Sequence, residues 1–205
     1  MRRRSVPAAS ALLALVLLLG CGAKGGSRLP AASPATPPAP SVPSTDRVAE
    51  IRAAMLARAG GAGEAPSGAP VSDVTQDRGA VTLMWETAEG HLCFAQAPVS
   101  GGSDVRLCAD PERISPAAGS RVAKAYGTLT TPAGWGIVLL AERGVRVASV
   151  HFAGKPVEWV PVRTLAPEHS GRNVYYLTFP EYPVGKLSVL LDADGRQREE
   201  GLALR

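Results

Sequence analysis

The sequence predicts a mainly β protein in which one short helix precedes the strands. From Val71 onward, apolar and polar residues alternate in short runs, as they do in residues 81–86. Turn-forming residues separate these runs, and no helical periodicity of useful length follows Val71. Residues 71–205 are numerous enough to bury one sizeable core. We therefore predict a single all-β domain at residues 71–205.

The predicted strands number about ten, which favours an immunoglobulin-like β-sandwich or a partly open barrel. The first strand covers residues 81–86 and leads into a hairpin through the turn at residues 88–90. Prolines at positions 156, 161, 180 and 183 are typical of edge strands or strand ends. Further strands are predicted at residues 122–131, 135–142, 144–152, 157–165, 173–179, 186–192 and 196–204.

Residues 45–59 are predicted to form an amphipathic helix, with Thr45 as its N-cap and Gly60 at its end. An apolar stripe recurs there at helical spacing. A stripe this narrow favours docking on the following domain, with a partner-binding helix as the alternative. Residues 60–70 are predicted to be a flexible linker. The stripe consists of Val48, Ile51, Met55 and Ala59.

The N-terminal residues 1–20 are typical of a cleaved signal peptide. Three arginines precede the apolar residues 8–19, a run that is shorter than the roughly 20 residues a membrane-spanning helix needs. The run ends in Leu18-Leu19-Gly20-Cys21, which resembles the lipobox of bacterial lipoproteins. The composition is similar to that of uncharacterised secreted lipoproteins from high-GC Gram-positive bacteria.

The lipobox resemblance implies cleavage before Cys21 and a diacylglyceryl group on its thiol. A chain modified in this way is anchored to the cell membrane on its extracytoplasmic side. An ordinary secretory signal with an incidental cysteine is the alternative. Residues 21–44 are rich in proline and alanine and are predicted to be a semi-extended tether.

The net charge does not indicate a basic polyanion-binding protein. Subtracting the three arginines of residues 1–20 from the 22 basic residues leaves 19 against 18 acidic residues, a net charge of +1. The sequence therefore gives no support for nucleic-acid binding.

Cys93 and Cys108 are predicted to form a disulfide. A hairpin whose turn lies within residues 98–103 places Cys93 opposite Cys108 and Phe94 opposite Leu107. Closing a loop of about 15 residues stabilises a domain by roughly 3 kcal/mol in the chain-entropy model. Metal thiolates or a redox dithiol are the alternatives, but the spacing is not C-x-x-C.

No cofactor or metal site is predicted. Residues 192–196 resemble the opening of a calcium loop, but Arg196 and Ala203 occupy positions that need oxygen ligands. A hairpin turn with Asp-Gly at its tip explains these residues without an ion. His91, His151 and His169 are too scattered for a local metal motif.

The sequence assigns no catalytic residue. Glu168, His169 and Ser170 have the residue types of a hydrolase triad, but neighbours in sequence rarely adopt triad geometry, and no G-x-S-x-G motif is present. A polar surface loop is the favoured interpretation. The alternative is a hydrolase that uses His151 or His169 with Glu168 or an aspartate.

Aromatic and arginine side chains concentrate late in the chain, where they form a candidate binding patch. Two adjacent tyrosines in one strand point to opposite faces, so an exposed set would suit a protein or sugar partner. Packing in the core explains the same residues and is favoured, because small β-domains need their aromatics inside. The candidate patch consists of Trp159, Arg163, Arg172, Tyr175, Tyr176 and Tyr182.

These observations favour a surface-tethered, non-catalytic lipoprotein. Its membrane contact would be the lipid on Cys21, and its β-domain would bind an envelope protein or a cell-wall component. An extracytoplasmic hydrolase acting on a wall polymer is one alternative, and a purely structural spacer is another.

Overall fold

The computed structural model describes residues 45–68, 70–74, 79–132 and 134–204. The predicted signal peptide, the lipidation site at Cys21 and the tether lie outside the described residues. The described elements are α1 (Thr45–Gly61), β1 (Ser72–Asp73), β2 (Ala80–Glu86), β3 (Leu92–Pro98), β4 (Val105–Ala109), a 3-10 helix (Pro111–Arg113), β5 (Val122–Lys124), β6 (Leu129–Thr131), β7 (Gly134–Ala141), β8 (Arg146–Phe152), β9 (Lys155–Pro156), β10 (Glu158–Thr164), β11 (Asn173–Phe179), β12 (Gly185–Ala193) and β13 (Arg196–Leu204).

The strands form three antiparallel sheets. The first sheet has the order β1-β2-β3-β4, and the second has the order β10-β11-β7-β5, with β6 also paired to β7. The third sheet has the order β13-β12-β8-β9. The predicted mainly β class is confirmed. Short pairing segments such as β1, β6 and β9 raise the number of described strands to 13.

The layers are stacked in the order helix, first sheet, second sheet, third sheet. One apolar cluster joins α1 to the first sheet, another joins the first sheet to the second, and another joins the second to the third. The first sheet is therefore covered on both sides, and all seven residues of β2 are buried. Its polar side chains are satisfied internally, because Gln96 Nε2 donates to Thr82 Oγ1 at 3.0 Å.

The helix docks on the first sheet, as the favoured interpretation of its apolar stripe expected. Ile51, Met55 and Ala59 are buried against β2 and β3. Arg58 on the exposed side pairs with Asp104 at 3.2 Å. No helix among the described residues combines the length and apolarity that crossing a membrane requires.

Residues 60–70, predicted to be a linker, include groups that hydrogen-bond to the first sheet. Trp85 Nε1 donates to the carbonyl of Glu64 at 2.7 Å, and the Ser67 amide donates to the carbonyl of Glu86 at 2.9 Å. The described part of this segment is therefore hydrogen-bonded to the C-terminal end of β2.

The hairpin of β3 and β4 has the predicted register. Cys93 lies opposite Cys108, and Phe94 lies opposite Leu107. A disulfide joins the two cysteines, whose Cα atoms are 4.1 Å apart. The bond fixes the edge strand β4 to the sheet.

Candidate functional site

The predicted aromatic and arginine patch does not form on one surface. Tyr175 is 5% exposed and packs between the second and third sheets, whereas Tyr176 is 1% exposed and packs between the first and second sheets. For this pair the favoured interpretation, packing in the core, holds and the exposed patch does not form, because the second sheet lies between two others and both its faces are interior.

The two arginines of the predicted patch fasten loops instead of forming an open surface. Arg172 Nη1 donates to the carbonyl of Pro111 at 2.8 Å and to that of Ile114 at 2.6 Å. Arg163 is 10% exposed, and its guanidinium lies 3.9 Å from the carboxylate of Glu86. Neither guanidinium is available as part of a surface patch.

The remaining two patch residues lie in different surroundings. Trp159 is half-buried and packs edge-on against Tyr175, with the ring centroids 5.5 Å apart. Tyr182 is 47% exposed, and its ring meets Trp135 in a T-shaped contact at 4.9 Å. Of the six predicted residues, Tyr182 is the one that lines a groove bordered by the second and third sheets.

This groove has a volume of about 680 Å³ and lies where the second and third sheets end. The turn between β8 and β9 and the start of β10 form one wall, and the end of β11 with residues 180–182 forms the other. Phe152 and Phe179 meet in a T-shaped contact at 5.7 Å and contribute aromatic surface to it. Its lining is Thr131, Phe152, Ala153, Lys155, Pro156, Val157, Glu158, Thr178, Phe179, Pro180, Glu181 and Tyr182.

Two glycines hold the segment of residues 180–184 that borders the groove. Gly134 has a φ of +136°, and a Cβ there would lie 2.3 Å from the carbonyl oxygen of Phe179. Gly185 has the same φ of +136°, and a Cβ there would lie 3.7 Å from the ring of Phe152. Because L side chains rarely adopt this conformation, both ends of the segment depend on glycine.

The groove combines apolar surface with a few charges. Lys155, Glu158 and Glu181 are exposed lining residues, and they give the groove one positive and two negative charges. Sites for small ligands have this character, with volumes of roughly 300–1,000 Å³ and a small number of placed polar groups. The groove is therefore suited to binding.

A second cluster of polar side chains surrounds Glu86 at the end of β2. The carboxylate is 2% exposed and accepts the backbone N–H of Ala166 at 3.0 Å. His169 Nδ1 lies 2.7 Å from the other carboxylate oxygen. Gly90 packs against the histidine ring so closely that a Cβ there would lie 2.6 Å from His169 Cγ.

The carboxylate of Glu86 changes the acidity of the histidine. Its hydrogen bond raises the pKa of His169, opposed by a smaller effect of desolvation. The negative charges of Glu86, Glu168 and Glu112 raise that pKa further. The protonated imidazolium is therefore favoured at this position relative to a histidine in water.

The sequence analysis missed Glu86 as the partner of His169. The two residues are 83 positions apart and meet because the first and second sheets pack together. The signal that could have indicated Glu86 is a glutamate at the end of a strand in which Thr82 is the one other polar residue. Ser170 Oγ accepts the backbone N–H of Arg172 at 3.5 Å, so the three triad-type neighbours do not assemble as a relay. His151 lies in β8 of the third sheet, on the far side of the second sheet.

The resemblance of residues 192–196 to a calcium loop has a structural explanation. Asp194 and Gly195 have φ values of +53° and +73° and form the tip of the β12–β13 hairpin. The Asp192 carboxylate accepts the backbone N–H of Gly195 at 3.2 Å. Across the described ranges, no group of three or more His, Cys, Asp or Glu side chains has an arrangement that could hold a metal ion.

The chain matches no protein-family model, no curated protein and no solved structure. The roles of its residues are therefore inferred from their chemistry and geometry alone.

Proposed function

We propose that the protein is a lipid-anchored, non-catalytic envelope lipoprotein whose β-domain binds a cell-wall component or an envelope protein in the groove. The lipid on Cys21 holds the chain on the extracytoplasmic side of the cell membrane, and residues 21–44 separate the domain from the bilayer. The lipobox resemblance supports the anchor.

The groove is the observation that carries the binding role. It offers about 680 Å³ beside the half-exposed ring of Tyr182, and the neighbouring Val184 is 66% exposed. Exposed apolar side chains grouped around a concave site are typical of binding surfaces. A structural spacer would have no need for such a site.

Capture from the organism's own envelope tests this proposal. The full-length protein, purified in detergent, is incubated with isolated cell walls and solubilised membranes, and the retained partner is identified by mass spectrometry. We expect one component to be retained by the wild type and by Leu107→Ala, whose side chain is 37% exposed on the edge strand β4. Tyr182→Ala should retain clearly less of it. If Tyr182→Ala captures as much as the wild type, the groove is not the binding site. If neither the wild type nor any variant captures a component, the result favours a structural spacer.

The anchor has its own test. Cys21→Ser should release the protein from the membrane fraction because no thiol remains to carry the diacylglyceryl group. Cell fractionation followed by immunoblotting measures the distribution. Unchanged membrane retention of Cys21→Ser would show that the lipid is not the anchor.

A second candidate is the extracytoplasmic hydrolase, and the Glu86–His169 pair favours it. A buried carboxylate that orients an imidazole through Nδ1 is the arrangement that general bases use in hydrolases. His169→Gln would then abolish turnover of a wall polymer while leaving capture unchanged. Release of soluble fragments from purified cell walls by the wild-type protein distinguishes this candidate from a binding protein.

A further inference from the structure

The groove contains one aromatic ring that is both exposed and held in position. Tyr182 is 47% exposed, and its T-shaped contact with Trp135 restrains the ring. The backbone on either side is fixed where Gly134 packs against Phe179 and where Gly185 meets Phe152. A restrained aromatic surface binds a flat, C–H-rich ring at low entropic cost, because little ordering is left for the binding step.

The charged side chains of the groove indicate which chemical class of ligand it would bind. Among the described residues, no salt bridge engages Lys155, Glu158 or Glu181. Two carboxylates against one ammonium give these three residues a net charge of −1, which disfavours phosphate-rich polyanions. Carboxylates accept hydrogen bonds from hydroxyl and amide groups, and the ammonium donates to carbonyl oxygens. The complementary ligand is uncharged and rich in hydroxyl and amide groups.

Apart from Thr131 and Thr178, the rest of the lining is apolar and suits a small methyl-bearing substituent. Pro156, Val157 and Phe152 surround the same space as the charged side chains. An acetamido group combines a methyl group with an amide N–H and a carbonyl, so it matches both kinds of surface. A plain hexose has no such substituent.

Resting on the proposed binding function, we infer that the groove binds an N-acetylated amino-sugar glycan. The ring of Tyr182 packs against a sugar ring, and Glu158 and Glu181 accept its hydroxyl and amide hydrogens. The apolar wall takes the acetyl methyl group. The volume of about 680 Å³ falls in the range of sites for small ligands, so the groove engages a short stretch of the polymer.

Titration with defined sugars tests the inference. The full-length protein in detergent is titrated with chitotetraose, which carries acetamido groups, and with cellotetraose, which has the same linkage without them. Isothermal calorimetry measures affinity. We expect chitotetraose to bind and cellotetraose to bind at least about tenfold more weakly, the equivalent of about 1.4 kcal/mol, because cellotetraose has no acetamido groups.

Groove variants then locate the bound sugar. Tyr182→Ala should weaken chitotetraose binding roughly 2- to 12-fold, the equivalent of an aromatic contact. Glu181→Gln should also weaken it, because a neutral amide is a poorer acceptor than a carboxylate. Leu107→Ala is the matched control and should bind as the wild type does. Near-ultraviolet circular dichroism confirms that each variant is folded.

The outcomes distinguish an error in the ligand class from an error in assigning binding to the groove. Equal affinity for cellotetraose, or preference for a wall stem peptide added as a third probe, overturns the N-acetyl-glycan inference. If chitotetraose fails to bind but envelope capture still depends on Tyr182, the inference fails and the proposed function stands. If capture is also independent of Tyr182, both fail.

Discussion

The groove and the Glu86 cluster differ in whether their polar side chains already have partners. Around Glu86, the carboxylate engages the backbone of Ala166, the ring of His169 and the guanidinium of Arg163. In the groove, Tyr182 is about half exposed, and the neighbouring charges are on the surface. The comparison indicates that the first site fastens the fold and that the second remains open to a ligand.

A second buried carboxylate supports this interpretation of Glu86. Glu200 in β13 is 7% exposed and accepts the Arg121 amide at 2.7 Å and the Ser120 hydroxyl at 2.9 Å. Both carboxylates attach a loop to a neighbouring sheet. The Glu86 site differs because one of its partners is a titratable imidazole.

The largest expected effect is the loss of stability on removing the Glu86 carboxylate. Glu86→Ala leaves the nearly buried guanidinium of Arg163 without its counter-ion and the Ala166 amide without its acceptor. We expect the free energy of unfolding to fall by about 3–5 kcal/mol, as for other broken buried pairs. Urea denaturation followed by circular dichroism measures it. The control is Glu168→Gln, which changes an exposed acid in the loop that holds Ala166 and His169. A loss of unfolding free energy below about 1 kcal/mol for Glu86→Ala would contradict the role of Glu86 in attaching that loop.

The next prediction concerns the wall of the groove. Gly134→Ala and Gly185→Ala both place a side chain at a φ of +136°, but only the first drives a Cβ into backbone. Strain alone costs roughly 1–3 kcal/mol, so both variants should lose stability and Gly134→Ala should lose more. Denaturation of the two variants side by side measures the difference. Equal losses would show that close packing at Gly134 does not hold the segment of residues 180–184.

A smaller effect on the free energy of unfolding is expected when the pH is raised through the pKa of His169. Because the pKa of His169 is raised in the folded state, its charged contact with Glu86 contributes stability that is complete below the unfolded pKa of about 6.5. That contribution is lost as the pH rises through the folded pKa. The difference in unfolding free energy between the wild type and His169→Gln should therefore shrink from about pH 6 to about pH 9. Urea denaturation of both proteins at one fixed salt concentration measures it. A difference that grows with pH has the wrong sign for this pair.

The local parts of this structure could be predicted from the sequence, and the contacts between sheets could not. The register of Cys93 and Cys108 follows from one turn between two adjacent strands, and the helix follows from a stripe that ends at Ala59. By contrast, the burial of Tyr175 and Tyr176 depends on a sheet covered on both faces. Strand alternation shows that two residues face opposite ways but not that both faces are interior.

The candidate site shows the same difference between local features, which the sequence predicts, and contacts between distant segments, which it does not. Tyr182 was included in the predicted patch, but its neighbours were wrong because the groove is built by segments from three parts of the chain. Phe152 of β8 reaches the same groove only once the second and third sheets pack together. Glu86 was missed for the same reason, since its partner His169 is far away in sequence.

The central claim is that the protein binds its partner through the groove and not through the Glu86 cluster. Capture of the partner from isolated cell walls and detergent-solubilised membranes by the full-length protein, measured in parallel for Tyr182→Ala and His169→Gln, tests it most directly. We expect Tyr182→Ala to capture clearly less of the partner and His169→Gln to capture as much as the wild type. Undiminished capture by Tyr182→Ala together with loss of capture by folded His169→Gln would contradict the claim.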